Sequence, residues 1–455
     1  MKKKFLLSSI LTIFLCLSLI AGSTFALFTH TSQVNIVATA GNVEMTAGIE
    51  ITKVESVEGD PTGTIEDENG ATYSYLYKDE DGTDGYTFIN GGTASVTDSV
   101  LTMTEVTPGD KITLSVTGKN DSDIAILYRY KIDCVDGENL MKGLRFTVNG
   151  AAVDKYMATY TSPWIDLAKN NDIAPVTITV ELPVSAGNIF QNQTTEIRVI
   201  VEAIQANAVV ENNVDPVITY YNTAATTADA ANFINDPFLP EVNITAPIAE
   251  TIVITEDLSN KTIYANGNNV AFTFTGKLEN VVIDGVVSTA AGCSVNLDAA
   301  TGDIKIANST FTSGTGNFDA AIVPGNCDLE IDNCTFDGGK YALYNYDPAG
   351  ALTVTNSTFK NCSSWAIQVN NVINADVVVD GCTFDGANSG LVKVLSAPEA
   401  GHSFTFTNNT VINSRAHDGK EAEWLWVSAE YAITAYGNTL NGAAWAPGVD
   451  QGLGR

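Results

Sequence analysis

Residues 304–311 read IKIANSTF, and closely related phrases follow along the chain: LEIDNCTF at 329–336, LTVTNSTF at 352–359, VVVDGCTF at 377–384 and FTFTNNTV at 404–411. The last apolar position of the phrase recurs at steps of 25, 23, 25 and 27 residues, and a weaker copy, ITAYGNTL, occupies 433–440. An internal repeat of this length indicates a solenoid, in which each unit buries its apolar face only by stacking on the next.

The pattern inside each repeat selects the kind of solenoid. Short runs of alternating apolar residues, such as Ala351–Val354 and Ala366–Val369, are separated by turn residues, and no helical spacing of apolar residues occurs within the units. The sequence therefore predicts a right-handed parallel β-helix, with one coil per repeat and coils about 4.8 Å apart.

One position of the phrase predicts an interior column of small polar side chains. Such side chains can bond backbone groups of neighbouring coils that would otherwise be buried unpaired. Two cysteines of the column are two coils apart, roughly 9 to 10 Å, so we expect buried, reduced thiols rather than a disulfide. The column consists of Ser309, Cys334, Ser357, Cys382, Asn409 and Asn438.

The N-terminus reads as an export signal that occupies residues 1–26. Three lysines, Lys2 to Lys4, precede the apolar run Phe5–Ile20, and small residues lead to Ala26, after which cleavage is expected. The run is short for a full membrane span. We expect an extracellular protein, secreted or associated with the cell surface, that has no membrane segment once the signal is removed.

The composition is strongly acidic, with 53 Asp and Glu against 23 Lys and Arg and a net charge of −30. Such a chain repels nucleic acid and anionic surfaces, and it favours cations as partners. Seven cysteines in 455 residues are too few for a disulfide scaffold.

Residues 27–207 alternate apolar and polar positions in strands joined by short turns, for example Lys111–Thr117 and Ile124–Ile132, which predicts an antiparallel β-sandwich. The junction phrase at 25–43, with Phe25, Ala26, Phe28, Thr29 and Ala40-Gly41-Asn42-Val43, and the segments 106–132 and 197–208 resemble secreted proteins of the TasA and camelysin type. The resemblance implies a jelly-roll-like sandwich in a Gram-positive surface or biofilm-matrix protein.

The same resemblance implies two further properties. Members of this family assemble into extracellular fibres, in some cases by strand donation, so Leu27–Ala38 is the expected donor strand. Camelysin is also classed as a metallopeptidase, but the three histidines, His30, His402 and His417, form no H-E-x-x-H motif. We therefore do not expect peptidase activity.

A turn rich in carboxylates, Asp79–Gly85, is a candidate calcium site within the sandwich. Asp79, Asp81 and Asp84 would be the ligands, since a hard cation takes several carboxylates on a tight loop. Solvated acidic hairpin tips are the alternative, and no other cofactor is expected.

Residues 208–224 are mostly polar and are interpreted as a linker, so the β-helix is expected at 225–455. The segment Thr226–Asp236 predicts a short helix that caps the first coil before Pro237 ends it.

Catalysis by the β-helix is one possibility, because its shape resembles pectate lyases and polygalacturonases. Asp337, Lys360 and Asp385 are expected to stack on the outer surface at coil spacing, where carboxylates could flank a glycosidic bond and a lysine could take a proton. A self-neutralising ladder of charges is the alternative.

Aromatic residues suggest a sugar-stacking surface instead, because aromatic rings pack on the apolar faces of pyranoses. Core packing is the alternative for the tryptophans. These residues, expected to be exposed, are Tyr341, Tyr344, Tyr346, Trp365, Trp424 and Trp426.

We interpret the protein as a non-catalytic surface or matrix protein whose β-helix binds a polysaccharide, a cell-wall glycan or another surface. A polysaccharide lyase or glycoside hydrolase is the alternative.

Overall fold

The computed structural model describes residues 29–32, 38–40, 43–56, 76–78, 84–88, 91–207, 215–289, 292–316, 319–345, 350–369, 375–395 and 401–451. The chain divides into two compact units, Met1–Tyr221 and Asn222–Arg455. The expected signal segment, residues 1–26, lies outside the described residues. No described helix is long and apolar enough to cross a membrane.

The first unit is built from antiparallel strands. They are β1 (Thr29–Ser32), β2 (Ala38–Ala40), β3 (Val43–Glu55), β4 (Leu76–Lys78), β5 (Asp84–Thr87), β6 (Thr93–Thr97), β7 (Val100–Thr104), β8 (Lys111–Asn120), β9 (Ile126–Asp136), β10 (Arg145–Val148), β11 (Ala151–Ala152), β12 (Met157–Thr161), β13 (Ile165–Leu167), β14 (Val176–Glu181), β15 (Thr194–Gln205) and β16 (Val217–Tyr220).

These strands form two sheets. One has the order β16-β12-β9-β15-β7-β6-β5-β4, with β1 paired to β15 and β13 paired to β9, and the other has the order β11-β10-β14-β8-β3-β2. Alternate residues along β8 and β9 are buried, as expected for sheets that share an apolar layer. The prediction of an antiparallel sandwich is therefore confirmed. A short helix, α1 (Glu138–Gly143), and a 3₁₀ turn, Asn188–Phe190, lie between strands.

The segment interpreted as a linker is partly ordered as strand. Residues 208–214 lie outside the described part, but β16 pairs with β12, and Thr223–Ala224 already belongs to the second unit. β16 is a short edge strand of four residues, so it gives only a weak sequence signal.

The second unit begins with its first strand and one capping helix, α2 (Thr227–Asn235). The side chain of Thr226 accepts a hydrogen bond from the backbone N–H of Asp229 and so caps the helix start. Ala230 and Ile234 are fully buried against the first coils. The helix covers apolar side chains that the first coil would otherwise leave exposed to water, as expected from the sequence.

The solenoid strands follow in chain order: β17 (Thr223–Ala224), β18 (Glu241–Ile244), β19 (Ile252–Ile254), β20 (Leu258–Tyr264), β21 (Phe272–Phe274), β22 (Lys277–Asp284), β23 (Val287–Ser288), β24 (Val295–Asn296), β25 (Thr301–Ala307), β26 (Thr310–Phe311), β27 (Ala320–Val323), β28 (Asn326–Asp332), β29 (Thr335–Asp337), β30 (Tyr341–Asn345), β31 (Leu352–Thr355), β32 (Thr358–Lys360), β33 (Ile367–Val369), β34 (Val377–Asp380), β35 (Thr383–Asp385), β36 (Val392–Val394), β37 (Ser403–Thr407), β38 (Thr410–Ile412), β39 (Leu425–Val427), β40 (Ala432–Tyr436), β41 (Thr439–Leu440), β42 (Ala443–Ala444) and β43 (Val449–Asp450).

The strands make three faces of a right-handed parallel solenoid of about eight turns. The first face runs β17-β18-β20-β22-β25-β28-β31-β34-β37-β40, the second runs β23-β26-β29-β32-β35-β38-β41-β42, and the third runs β19-β21-β24-β27-β30-β33-β36-β39-β43. All these pairings are parallel except that of β41 with β42. The fold predicted from the repeat is confirmed.

Like side chains stack along the interior. The rings of Phe311, Phe336, Phe359 and Phe384 follow one another with centroids 5.4, 5.0 and 4.9 Å apart. The four rings are all but fully buried. This stack fills the core behind the second face with offset aromatic contacts.

The column of small polar residues is also interior, as expected. The backbone N–H of Cys334 donates to Ser357 Oγ at 3.1 Å, and that of Cys382 donates to Asn409 Oδ1 at 2.8 Å. Each buried N–H at the bend is therefore satisfied by the equivalent side chain one coil later. The thiols of Cys334 and Cys382 are free, as predicted, and burial raises the pKa of each to about 12.

The bend before this column requires a left-handed backbone conformation. Asn308, Asn333 and Asn356 hold φ near +50°, and Gly381 takes the same place at φ +65°. Asparagine tolerates this region better than other residues with a side chain. The N-[SC]-T part of the repeat is thus explained by backbone geometry.

Candidate functional site

The acid and lysine candidates stack as the sequence predicted. Asp337 pairs in register with Lys360, and Lys360 with Asp385, on successive strands of the second face. Asp337 Oδ1 accepts a hydrogen bond from Asn361 at 2.9 Å, and Asp385 Oδ1 accepts one from Asn413 at 2.9 Å. Each carboxylate is thereby tied to a turn of the next coil, so the contacts support a structural ladder. A catalytic role for these residues stays a prediction.

Two acids of the first face, Asp332 and Asp380, are held in the same way. Asp332 Oδ1 accepts from Thr355 Oγ1 and Asn356 Nδ2, both at 3.0 Å, and Asp380 Oδ1 accepts from Thr407 Oγ1 at 2.6 Å. The hydrogen bonds from Asn356 and Thr355, together with Lys305, hold the pKa of Asp332 below its usual range. These carboxylates therefore serve coil stacking.

The candidate calcium turn falls largely outside the described residues. Asp79 and Asp81 lie there, and Asp84 starts β5 without a described side chain. Within the described ranges, no group of three or more His, Cys, Asp and Glu residues is arranged to hold a metal ion. The calcium site stays a prediction.

The aromatic candidates are mostly buried, which corrects the expectation of an exposed surface. Tyr341, Tyr344 and Trp365 are 7%, 6% and 2% exposed. Trp424 is also buried and meets Trp445 edge-on, with ring centroids 5.1 Å apart. Tyr346 lies outside the described residues. The loop that carries His417 packs against Trp365, and a sequence pattern does not show where a loop folds back.

Four of the aromatic residues nevertheless meet in one place outside the third face. Tyr341 and Tyr344 stack with ring centroids 4.5 Å apart, and Trp365 lies 6.3 Å from Trp426. The ring of His417 lies 5.4 Å from that of Trp365 and 6.0 Å from that of Trp426. We call these five residues, Tyr341, Tyr344, Trp365, His417 and Trp426, the aromatic patch.

The register of the third face explains why these residues converge. Tyr344 is paired with Gln368, Gln368 with Lys393, and Lys393 with Trp426. Their neighbours in each strand, such as Leu343, Ile367, Val392 and Leu425, belong to the solenoid core. Because side chains alternate across a strand, the four paired residues form one outward column.

A loop between β38 and β39 covers part of this column. It includes two 3₁₀ turns, His417–Gly419 and Glu421–Glu423. The backbone N–H of Leu391 donates to the carbonyl of Trp424 at 3.0 Å, and that of Gly390 donates to the carbonyl of Arg415 at 3.0 Å. These bonds anchor the loop, and His417 lies within it against the tryptophans.

Gly390 provides the space for Trp365. A Cβ on Gly390, which has φ +91°, would come within 2.3 Å of the indole ring. Any side chain here would displace the ring and strain the backbone. Gly390 therefore positions Trp365.

A lysine, Lys393, lies beside the tryptophans of the aromatic patch. Lys393 Nζ lies 4.6 Å from the ring centroid of Trp426 and 5.9 Å from that of Trp365. Burial lowers the pKa of Lys393. Trp426 is itself partly exposed, while its Nε1–H is buried without a hydrogen-bond partner among the described residues.

A serine and a histidine also meet at the patch. Ser389 Oγ and His417 Nδ1 are 2.7 Å apart, while Asp418 Oδ2 lies 3.7 Å from His417 Nε2. The distance to Asp418 exceeds a hydrogen bond, so the carboxylate does not orient the imidazole as a catalytic triad requires. We assign Ser389 to holding the histidine ring in place.

Sequence reasoning missed Lys393, His417 and Gly390. The repeat was aligned on the second face, where the spacing is nearly constant, whereas on the third face the step from Lys393 to Trp426 is 33 residues. An alignment of the runs around Tyr344, Gln368 and Lys393, at steps of 24 and 25, could have found Lys393.

The match to a known protein family lies within the second unit. Residues 258–440 match the family described as "Right handed beta helix region". No curated protein matches the chain.

Solved structures give weak likenesses. The catalytic domain of GH87 alpha-1,3-glucanase in complex with nigerose is 13% identical, with 75% of this chain and 97% of that chain covered, at a TM-score of 0.18. A variant of that domain in complex with tetrasaccharides is 12% identical, with 90% and 98% covered, at a TM-score of 0.17. Scores this low say nothing about the activity of this chain.

Proposed function

We propose that this protein is a non-catalytic, exported surface or extracellular-matrix protein whose solenoid binds glycan through the aromatic patch. The observation that carries the proposal is the partly exposed Trp426, flanked by Lys393 and backed by buried aromatic rings on the third face. A ring held rigidly by its neighbours can stack on the apolar face of a sugar at little cost in conformational entropy.

The state of the charged candidates supports a binding role over cleavage. Asp337 and Asp385 each accept a hydrogen bond from an asparagine of the next coil, and Lys360 is in register between them. In these contacts each carboxylate ties one coil to the next, which supports a structural role for both. The function proposed for the solenoid is therefore adhesion.

Export and the matrix role rest on the sequence. The lysine-led apolar run ending at Ala26 supports export, and the resemblance of residues 27–207 to the TasA and camelysin type supports a matrix or biofilm setting. Self-assembly through Leu27–Ala38 belongs to the same proposal. Within this chain, Thr29–Ser32 pairs with Val201–Ile204, so strand donation would have to replace that pairing.

The test is binding of the full chain without its first 26 residues to a glycan array and to insoluble polysaccharides. Trp426→Ala should weaken binding at least tenfold, because a partly buried tryptophan at a binding surface is a typical hot spot. Gly390→Ala should weaken it through displacement of Trp365. Two matched controls should bind like the parent protein: Tyr436→Ala removes an exposed ring of the first face, and Gly442→Ala has a similar φ, +82°, with open space around its Cβ.

Two results would overturn the proposal. One is binding that is indifferent to both Trp426→Ala and Gly390→Ala. The other is release of soluble oligosaccharides that Asp385→Asn abolishes, which would assign the solenoid to polysaccharide cleavage.

A further inference from the structure

Lys393 differs from the other residues of its outward column. The column consists of Val253, Thr273, Asn296, Val323, Tyr344, Gln368, Lys393, Trp426 and Asp450. Lys393 is its one cation, and Trp426 follows at one strand spacing, about 4.8 Å. An ammonium and a stacking ring are thus placed side by side.

Lys393 has no counter-ion within the described part of the chain. Three of the other lysines of this unit pair with glutamates: Lys305 with Glu330 at 2.6 Å, Lys420 with Glu423 at 2.6 Å and Lys277 with Glu279 at 3.3 Å. No described carboxylate lies within 4 Å of Lys393 Nζ, although residues 222–455 contain 25 Asp and Glu against nine Lys and Arg.

The position of the Lys393 ammonium is energetically unfavourable when no anion is bound. Lys393 is partly buried between two indole rings, and taking an ammonium out of water is costly unless it is paired. Cation–π contacts offset only part of that cost. The site therefore holds a positive charge ready for an anion.

We propose that the glycan bound at the aromatic patch is acidic, with a sugar carboxylate paired to Lys393 while the sugar ring stacks on Trp426. This inference rests on the proposed function and names its ligand class.

The acidic charge of the whole chain does not prevent this. At physiological salt, charges further apart than about 8 Å are largely screened, so the local pairing at Lys393 decides specificity. Basic residues also occur around the patch: Lys340 Nζ lies 5.5 Å from the ring centroid of Tyr341, and Arg415 Nε donates to the carbonyl of Asn388 at 2.8 Å.

The experiment measures binding of the full chain without its first 26 residues to alginate and to the same alginate after chemical reduction of its carboxyl groups. Carboxyl reduction should weaken binding about tenfold, in line with the loss of one charge-assisted hydrogen bond. Lys393→Met, which keeps the apolar stem, should weaken binding to native alginate by a similar factor and leave binding to the reduced polymer unchanged. Lys393→Arg should restore most of the affinity, and melting curves verify that each variant is folded.

The outcomes separate this inference from the proposed function. Equal binding to both polymers, lost in Trp426→Ala but not in Lys393→Met, overturns the acidic ligand and leaves glycan binding intact. Absence of binding to either polymer and to the glycan array overturns both. Weakening by carboxyl reduction that is the same in Lys393→Met as in the parent would place the anion elsewhere and also overturn this inference.

Discussion

The two units of this protein use paired strands in opposite ways. In the sandwich, unlike residues face each other across strands: Ser115 of β8 lies opposite Thr177 on one side and Glu50 on the other. In the solenoid, like faces like, as where Phe336 lies between Phe311 and Phe359. A position in the solenoid therefore faces the same residue type in the coils above and below. A position in the sandwich faces different residue types on its two neighbouring strands.

This difference decides how a substitution is tolerated. A side chain that is already used at the same place in another coil brings hydrogen bonds that fit, because the surrounding backbone repeats. In the sandwich no second position has the same surroundings, so a substitution that removes a polar contact there has no precedent elsewhere in the unit. Three predictions test this contrast.

The largest expected effect concerns thiol reactivity. Burial raises the pKa of Cys334, Cys362 and Cys382 in the solenoid to about 12, whereas Cys134 in the sandwich is only partly buried. A thiol with that pKa has about a thousandth of the thiolate of an ordinary cysteine near pH 8.5. Alkylation of the native chain, followed peptide by peptide with mass spectrometry, should label Cys134 first and the three solenoid thiols only after denaturation.

The unfolded chain in urea is the control, since all cysteines should react at similar rates there. Labelling of Cys334 at the rate of Cys134 in the native protein would contradict the closed packing of the coils.

The second prediction compares two buried asparagines. Asn409→Ser should cost about 1 kcal/mol. Serine keeps an acceptor for the N–H of the preceding coil, as Ser357 does for Cys334, and loses only the hydrogen bond from Asn409 Nδ2 to the carbonyl of Val379. Asn120→Ser should cost about 3 kcal/mol, because Asn120 Nδ2 donates to the carbonyls of Ile124, Leu167 and Ala168 and serine cannot replace those bonds. Hydrogen exchange with mass spectrometry reports the stability of each unit separately.

Asn409→Ala serves as the matched control, since it leaves the N–H of Cys382 without its acceptor and should cost about 1–3 kcal/mol. Equal losses for Asn409→Ser and Asn409→Ala would show that the repeat gives no tolerance.

The third prediction concerns the end of the stack, where the repeat no longer supplies equivalent neighbours. Lys261 is buried, and its Nζ donates to the carbonyls of Asp236, at 2.7 Å, and Leu239, just after the capping helix. Burial lowers its pKa from 10.5 to about 8. Between these values the unfolded chain holds a proton that the folded chain has lost, so the free energy of unfolding should rise with pH across this window.

Lys261→Met isolates the contribution, because other groups titrate equally in both proteins. The difference in free energy of unfolding between parent and Lys261→Met, measured by urea titration from pH 7.5 to 10.5, should shift in favour of the parent. A flat or falling difference would contradict the lowered pKa.

Much of the fold could be predicted because the sequence of the second unit is repetitive. The spacing of Phe311, Phe336, Phe359 and Phe384 fixed the coil and its register, and the small residue two positions earlier fixed the interior column. The stacking of Asp337, Lys360 and Asp385 followed from the same spacing. The hydrogen bonds from Asn361 and Asn413 did not, because they depend on which way a turn side chain points.

The aromatic patch could be predicted only in part. Tyr341, Tyr344 and Trp365 are candidates from the sequence, and core packing is the alternative only for the tryptophan, so the burial of the two tyrosines corrects the expectation. The loop carrying His417 packs against Trp365, and the sequence does not show its path. Lys393 gave no signal of its own, as a lone lysine in a β-strand is usually solvated.

By itself, the sequence determined that the second half of the chain is a stack of parallel coils with like residues in columns. Short alternating apolar runs that recur at this period are buried when each coil stacks on the next. The tertiary structure alone decided what surrounds the outward column: Trp426 stays partly exposed, Lys393 lies beside it with no carboxylate of the described residues within 4 Å, and Gly390 leaves room for Trp365. The physical reason is that a column follows from local spacing, whereas the environment of a side chain depends on loops of irregular length, whose paths are set by packing.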